Sequence, residues 1–399
     1  MVFSMTNIKL LKVDLITTSP LVIGVRESER GTLYISPKQI IPGVSFHGAL
    51  MKALSDLGIK SVNEENALKT FTTPLYPTSN TSKYLFKDIN VAHVLSFYGK
   101  GLKQKYVISC GLRRILEDFV NRGYDLLTCI SNTIRNFMSE LEEKAIKYGV
   151  NLLFNVADMK SAQGLPIEKV DSLWCITSVK KGIYIENVVD RARGSVYVGT
   201  LYGYEYVESG SMFTGYIACY DGLYDEVKDL RDIEVSIGKG RGRGFGKARV
   251  RVSELSISEL RDLCPIREGL FIVKSLAPTF TVDVLPRPII VGDVIETLSG
   301  LKLKVLGVIG SNTEVYSGWS RLYHTPKISI ECNSPGTLFI MDVEDGVVDE
   351  CACMELLLGL IRGNIPGFNM FQPITWSVHE DPLYMDLDEF IKSVVIRFG

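Results

Sequence analysis

Apolar and polar positions change period several times along this chain. Residues 8–25 (IKLLKVDLITTSPLVIGV) predict a strand, a Ser-Pro break and a second extended piece. From Ile40 the period becomes helical. In IIPGVSFHGALMKALSDLG, Phe46, Ala49, Leu50, Ala53 and Leu54 share one face, and Ser45 stands where it can cap the helix. Residues 72–90 are rich in Thr, Ser, Pro and Asn and predict a loop. Residues 110–149 carry two apolar stripes broken at Gly123. The first is Leu112, Ile115, Leu116, Phe119 and Val120; the second is Leu127, Ile130, Ile134, Phe137, Leu141 and Ala145. Their mixed polar faces predict core-facing helices. Short strands follow in LWCITSV, GIYIENVV, SVYVGTLYGYEYV and MFTGYIACY. The helical stretch YDEVKDLRDI is then expected to run straight into the glycine-rich segment GKGRGRGFGKARVRV, which ends as a strand.

A weak internal repeat organises these pieces. GSMFTGYIACYDGLYDEVKDLRDIEVSIGKGRGRGFGKARVRV and PGTLFIMDVEDGVVDECACMELLLGLIRGNIPGFNMFQPITWSV each read as turn, strand, acidic segment, helix, glycine-bearing loop and strand. Their loops share Gly244–Phe245 and Gly367–Phe368. Repeated halves of this kind predict an α+β chain of tandem ferredoxin-like (RRM-like) units with a helical insertion. The Cys264–Pro265 step sets the expected boundary: an N-terminal unit over 1–264, carrying the insert at about 84–160, and a degenerate C-terminal unit over 265–399.

Composition narrows the function classes. The 399 residues suit two or three domains, and 46% apolar with 23% charged residues excludes a disordered chain. No apolar run is long enough to span a bilayer, and the N-terminus shows no signal-peptide pattern, so a cytoplasmic protein without membrane partners is expected. Eight cysteines lie at 110, 129, 175, 219, 264, 332, 351 and 353 without a C-x-x-C pair, and the histidines at 47, 93, 324 and 379 stand far apart. These spacings predict mostly buried, reduced thiols and no metal or cofactor site. The net charge of −2 excludes a nucleic-acid field over the whole molecule. It is uneven: residues 271–399 carry nine Lys and Arg against sixteen Asp and Glu, so the preceding segment is basic.

The basic charge concentrates in Gly238–Arg251, which holds five glycines, six cations and no acid. Glycines let a backbone adopt positive φ and approach a ligand closely. Their N–H groups, flanked by Lys239, Arg241, Arg243 and Lys247, suit phosphate oxygens. Phe245 can pack beneath the loop or stack on a base. A dinucleotide fingerprint needs strand-to-helix order and a P-loop needs a Lys-Ser/Thr pair; neither is present. A solvated basic hairpin is the bland alternative.

GKGRGRGFGKARV resembles the glycine-rich loop of the RAMP superfamily, RNA-binding proteins of CRISPR effector complexes. IIPGVSFHGAL resembles that family's N-terminal helix start, and PLVIGV the strand and loop before it. GTLYGYEYVESGSMFTGYI resembles its strand pair, and YSGWSRLYHTPKISIECNSPGTLFIMDV is similar to a segment of the large two-unit RAMP subunit of type III-D systems. The resemblance implies a non-catalytic subunit of a type III effector that holds the 5′ repeat-derived end of a guide RNA. Its partners would be other RAMP backbone subunits and the large polymerase-like subunit. Carried over residue by residue, it implies RNA contacts at Lys239, Arg241, Arg243, Gly244, Phe245 and Lys247, with Ser45 and His47 at the helix start.

Two departures bear on catalysis. Target-cutting RAMP subunits carry an aspartate before the helix start, where this chain offers Glu27 and Glu29. The second loop, GNIPGFNMF, has no cation, which implies a C-terminal unit serving protein contacts. The competing readings are a metal-independent endoribonuclease using His47 as acid or base, and a pure protein scaffold.

Overall fold

The computed structural model describes residues 8–29, 32–37, 39–99, 105–110, 112–121, 125–148, 159–186, 189–190, 192–193, 195–196, 202–220, 223–261, 263–264, 269–282, 285–310, 312–317, 319–320, 325–326, 328–344, 346–374 and 386–391. The chain forms two compact units. Among the described residues, one is built from 8–87 and 177–259, the other from 88–176 and 260–391. The division after 259 lies close to the expected boundary at 264. Residues 88–176, which include most of the expected insert, fall in the same unit as the C-terminal half.

The first unit is built on β1 (Ile8–Thr17). A hairpin follows, β2 (Gly24–Glu29) and β3 (Thr32–Pro37), then α1 (Gly43–Asp56) and β4 (Thr70–Thr72). After the excursion into the other unit come β5 (Lys181–Glu186), β6 (Tyr202–Val207), β7 (Met212–Tyr220), α2 (Tyr224–Lys228), β8 (Ile233–Ser236) and β9 (Lys247–Leu255). The main sheet runs β8-β9-β1-β7-β4, with antiparallel pairing throughout. Without β8 this is the ferredoxin-like order, fourth strand, first, third, second. Alternation explains the register. Leu11, Val13 and Leu15 of β1 join Val250 and Val252 of β9 in a core that Phe46, Leu50 and Leu54 of α1 complete. Burying a side chain such as Phe46 contributes about 1.5–3 kcal/mol. A smaller sheet, β5-β6-β3-β2, belongs to the same unit.

The second unit repeats the topology. Its sheet is β10 (Leu270–Ser275), β11 (Val294–Glu296), β12 (Lys302–Ile309), β13 (Leu338–Val343) and β14 (Phe371–Ile374), in the order β11-β12-β13-β10-β14. α3 (Glu350–Leu358) precedes β14 and packs beside it. The expected repeat is thus a structural one: Phe213 and Phe339 lie on the two third strands, β7 and β13, and the Gly-Phe loops each precede a fourth strand. Two tandem ferredoxin-like units result; among the described residues the second has no helix between its first two main strands.

The insert covers the second sheet. Its helices, Arg113–Asn121 and Leu126–Lys147, pack Leu112, Ile115 and Cys129 on Ile272, Ile309, Leu338, Ile340 and Ile374. The intervening Phe271, Val273, Phe339 and Met341 are also buried, so both faces of this sheet are covered. That is why the central strands carry the continuous apolar runs LFIV in β10 and LFIM in β13, while Lys302 and Lys304 at the start of β12 stay exposed. The second apolar stripe needs correction: the buried face of the long helix is Cys129, Thr133, Phe137, Leu141 and Ala145, while Leu127 is exposed. Leu127 sits in the first turn, off the four-residue row that faces the core. Lys274 on β10 is fully buried and donates to Asn90 Oδ1 at 2.8 Å; Asn90 Nδ2 donates to Gln372 Oε1 at 3.1 Å. This chain of bonds ties the start of the insert to β10 and β14.

The expectation of reduced thiols is overturned at one pair. Cys264 and Cys353 form a disulfide with Cα atoms 5.4 Å apart. The two stand 89 residues apart and become neighbours only when α3 folds back. Among the described residues no helix is long and apolar enough to cross a membrane.

Candidate nucleic-acid interface

The glycine-rich segment is a hairpin loop. β8 stands between α2 and the glycines, so the connection is strand to strand and not the expected helix to strand. α2 is only five residues long, because the chain must turn back to add an edge strand. The loop is closed at its base by Ile237 N–H donating to the Gly246 carbonyl at 2.8 Å. It is then fastened to the segment after β1. Lys239 N–H donates to the Val22 carbonyl at 2.9 Å, Gly246 N–H to the Pro20 carbonyl at 2.8 Å, and Lys247 N–H to Ser19 Oγ at 2.8 Å. The Ser-Pro break and PLVIGV are therefore the floor of the loop.

The glycines are required by this geometry. Gly238, Gly240, Gly244 and Gly246 have φ of 82°, 73°, 89° and 82°. A Cβ on Gly246 would strike the Ile237 carbonyl, and one on Gly238 the Val22 carbonyl. Between the left-handed Gly240 and Gly244, residues Arg241–Arg243 make a 3₁₀ turn.

The cations divide by role. Arg241 turns inward, its Nη1 donating to the Ser236 carbonyl at 3.1 Å, and braces the turn. Arg243 is exposed and lies over the Tyr204 ring, 5.2 Å from its centroid. Lys239, Gly242, Gly244 and Lys247 are exposed. Lys247 Nζ lies 3.1 Å from the Glu234 carboxylate across the hairpin. Phe245 takes the packing role of its two alternatives. Its ring meets Tyr184 edge-on at 5.6 Å and Tyr206 at 6.4 Å. Tyr184, Tyr204 and Tyr206 were not among the expected site residues. Their signal lay in the alternation of YGYEYV, which puts Tyr204 and Tyr206 on one face of β6, directed at the same loop.

The helix start is placed at the same end of the sheet. Ile41 is bridged to Leu75, next to the Tyr76–Pro77 pair with the beginning of β7, while the loop leads into Ala248 opposite Thr17 at the end of β1. Ser45 is not the cap. Pro42 holds the N-cap position with φ −58° and ψ 135°, and Ser45 is already in the first turn, its N–H donating to the Pro42 carbonyl at 2.9 Å. The proline ring presets the extended residue that starts the helix three residues earlier than the serine suggests.

His47 points elsewhere. Its Nε2 lies 3.0 Å from the Ala67 carbonyl, on the short helix Glu64–Leu68 that leads into β4. β4 and β8 are opposite edges of the sheet, so His47 and the glycine loop belong to different edges. Glu27 lies on β2 opposite Tyr34, in a hairpin where the sequence suggested a loop. His93 is buried, its Nδ1 accepting from Leu95 N–H at 3.2 Å. His324 and His379 lie outside the described residues. In the second unit Phe368 is buried against Phe280 and Tyr316, so that Gly-Phe loop supplies core instead of surface.

No family model matches the sequence, and no curated protein does. Among solved structures, a chain of the type III-B Cmr-beta complex bound to cognate target RNA and AMPPnP is 12% identical; the match covers 82% of this chain and 86% of that one, with a TM-score of 0.41. A chain of apo Cmr-beta is 13% identical over 61% of this chain and 97% of that one, TM-score 0.30. Oligomeric Cmr4 from Pyrococcus furiosus is 15% identical over 62% of this chain and 100% of that one, TM-score 0.25.

Proposed function

We propose that this chain is a non-catalytic RNA-binding subunit of a type III CRISPR effector complex, and that it holds the 5′ repeat-derived end of the guide RNA. The observation that carries the reading is the glycine loop. It presents exposed Lys239, Arg243 and Lys247 and exposed glycine backbone on a hairpin locked to Val22 and Pro20. Such a loop meets phosphate oxygens without being ordered by them, so little entropy is lost on binding. The motif resemblance to the RAMP superfamily supplies the complex, the guide RNA and the neighbouring RAMP and polymerase-like subunits. The non-catalytic reading is supported by the residues before the helix start, where the chain has Glu27 and Glu29 in place of the aspartate that target-cutting RAMP subunits carry.

The test is binding of labelled repeat RNA to the full chain at several salt concentrations. The triple variant Arg241→Ala/Arg243→Ala/Lys247→Ala loses most of the affinity and flattens the salt dependence. Unchanged RNA binding together with failure to join the complex would make the chain a scaffold. Cleavage of repeat RNA that disappears in His47→Ala would make it a nuclease.

A further inference from the structure

The two faces of the first unit's main sheet are covered unequally. One face packs on α1 throughout. On the other, the cover found among the described residues is 81–86, and it lies on the half formed by β1 and β7. Lys12 Nζ bonds to the Thr81 carbonyl and lies 5.4 Å from the centroid of the Tyr84 ring. The Tyr216 hydroxyl donates to the Leu85 carbonyl at 2.9 Å, and Phe86 meets the Tyr216 ring edge-on at 5.6 Å. Lys12 and Tyr216 are buried as a result. The cover stops at β1. On β9, Lys247, Arg249, Arg251 and Ser253 are all exposed, while Ala248, Val250 and Val252 between them are buried. Register puts the exposed set on the covered residues' face: Ile16 stands opposite Arg249, Asp14 opposite Arg251 and Lys12 opposite Ser253.

Alternate residues of a strand are about 6.8 Å apart, which is the scale of one nucleotide step in an extended single strand. Three cations in line at that repeat suit successive phosphates. The line starts where the loop ends, since Lys247 belongs to both. Two carboxylates on the β8 side compete for it: Glu234 at 3.1 Å from Lys247, and Asp232 at 3.5 Å from Arg251. Both pairs are solvent-exposed and so are weak and exchangeable.

We infer that Lys247, Arg249 and Arg251 form a track for the sugar-phosphate backbone of single-stranded RNA, carrying the strand from the glycine loop across the open half of the sheet. This rests on the reading of the loop as an RNA site and adds a second stretch to it. An acidic protein surface is the other polyanion the track could meet. The regular repeat and the continuity with the loop favour RNA.

The experiment uses the full chain with short and long oligouridylates, the short one spanning the loop alone. Arg249→Gln/Arg251→Gln lowers affinity for the long probe about tenfold at low salt, leaves the short probe unchanged, and reduces the slope of log K against log salt by about 1.4. Asp232→Asn/Glu234→Gln acts in the opposite direction and raises long-probe affinity several-fold. Asn tolerates the left-handed backbone of Asp232, whose φ is 59°, so this gain cannot arise from unfolding. The track is overturned if neither double variant alters long-probe binding. It is equally overturned if Arg249→Gln/Arg251→Gln binds RNA normally but loses a partner subunit. In both cases the loop reading stands or falls separately, on whether Lys239→Gln/Arg243→Gln, which removes exposed loop cations outside the track and leaves the bracing Arg241 in place, has lost the short probe.

Discussion

The main-chain N–H of Lys239 donates to the carbonyl of Val22 at 2.9 Å, so the near flank of the basic loop is anchored to the segment that leaves the first strand. Two stretches more than 200 residues apart in the chain thereby become one rigid surface. The consequence is that loop geometry depends on its glycines individually.

Gly246 and Gly242 separate the two uses of glycine. Gly246 has φ 82° and a Cβ there would run into the Ile237 carbonyl; Gly242 has open space around it. Gly246→Ala costs about 1–3 kcal/mol and weakens RNA binding. Gly242→Ala stays within about 0.5 kcal/mol of the parent. Urea unfolding midpoints check the first part and RNA titration the second. Equal midpoints for the two variants would show that the loop is not held as described.

Arg243 stacked on Tyr204 makes a measurable pair. A double-mutant cycle with Arg243→Gln and Tyr204→Leu returns a coupling of about 0.5–1 kcal/mol in the free protein. Bound RNA draws the guanidinium to phosphate and the coupling shrinks. A coupling that RNA leaves unchanged counts against Arg243 as a contact.

Acid sensitivity arises at the end of the described chain. The Asp388 carboxyl is held below its ordinary value of 3.8, first by the hydrogen bond from Lys144, whose Nζ lies 2.9 Å away. Lys144 is raised above 10.5, first by the same bond. A lowered acid stabilises the fold above its ordinary pKa, and that contribution is lost as pH falls through the lower, folded value. A raised base contributes below 10.5 and loses this as pH rises through its folded value. Asp388→Asn therefore flattens the fall in thermal stability between about pH 5 and pH 2. The packing of Leu387, Phe390 and Ile391 on Phe137 and Leu141 remains. Melting curves across that range check it; an unchanged acid slope in the variant counts against the pair.

The disulfide makes a chemical prediction. Unfolded without reductant, the protein titrates six thiols; after reduction it titrates eight. Reduction lowers stability by about 2–4 kcal/mol, since the cross-link closes a long loop. Eight thiols in the unreduced protein would exclude the bond.

Much of this architecture was legible from pattern. The α1 face, the glycine loop and the repeated order of strand, helix, loop and strand all follow from local period and turn chemistry. Ser45 was misplaced because a proline three residues earlier sets the helix start more strongly than a serine can. The helix expected over residues 224–233 gave way to α2 and β8 because edge pairing with β9 offers the backbone partners that an isolated short helix lacks. The motif places His47 at the helix start, but local pattern could not supply the Ala67 carbonyl, 20 residues away, that lies beside its Nε2.

By itself, the sequence determined the inward face of α1, a loop whose backbone needs glycine, and that a cluster of cations shares that one segment. These are properties of neighbours in the chain. The tertiary structure alone decided that Arg241 braces the loop while Arg243 and Lys247 stay at the surface, that Cys264 meets Cys353, and that one half of a sheet is covered while the other remains open. Each of those depends on residues distant in sequence, and an apolar or charged period specifies a face without specifying what will lie against it.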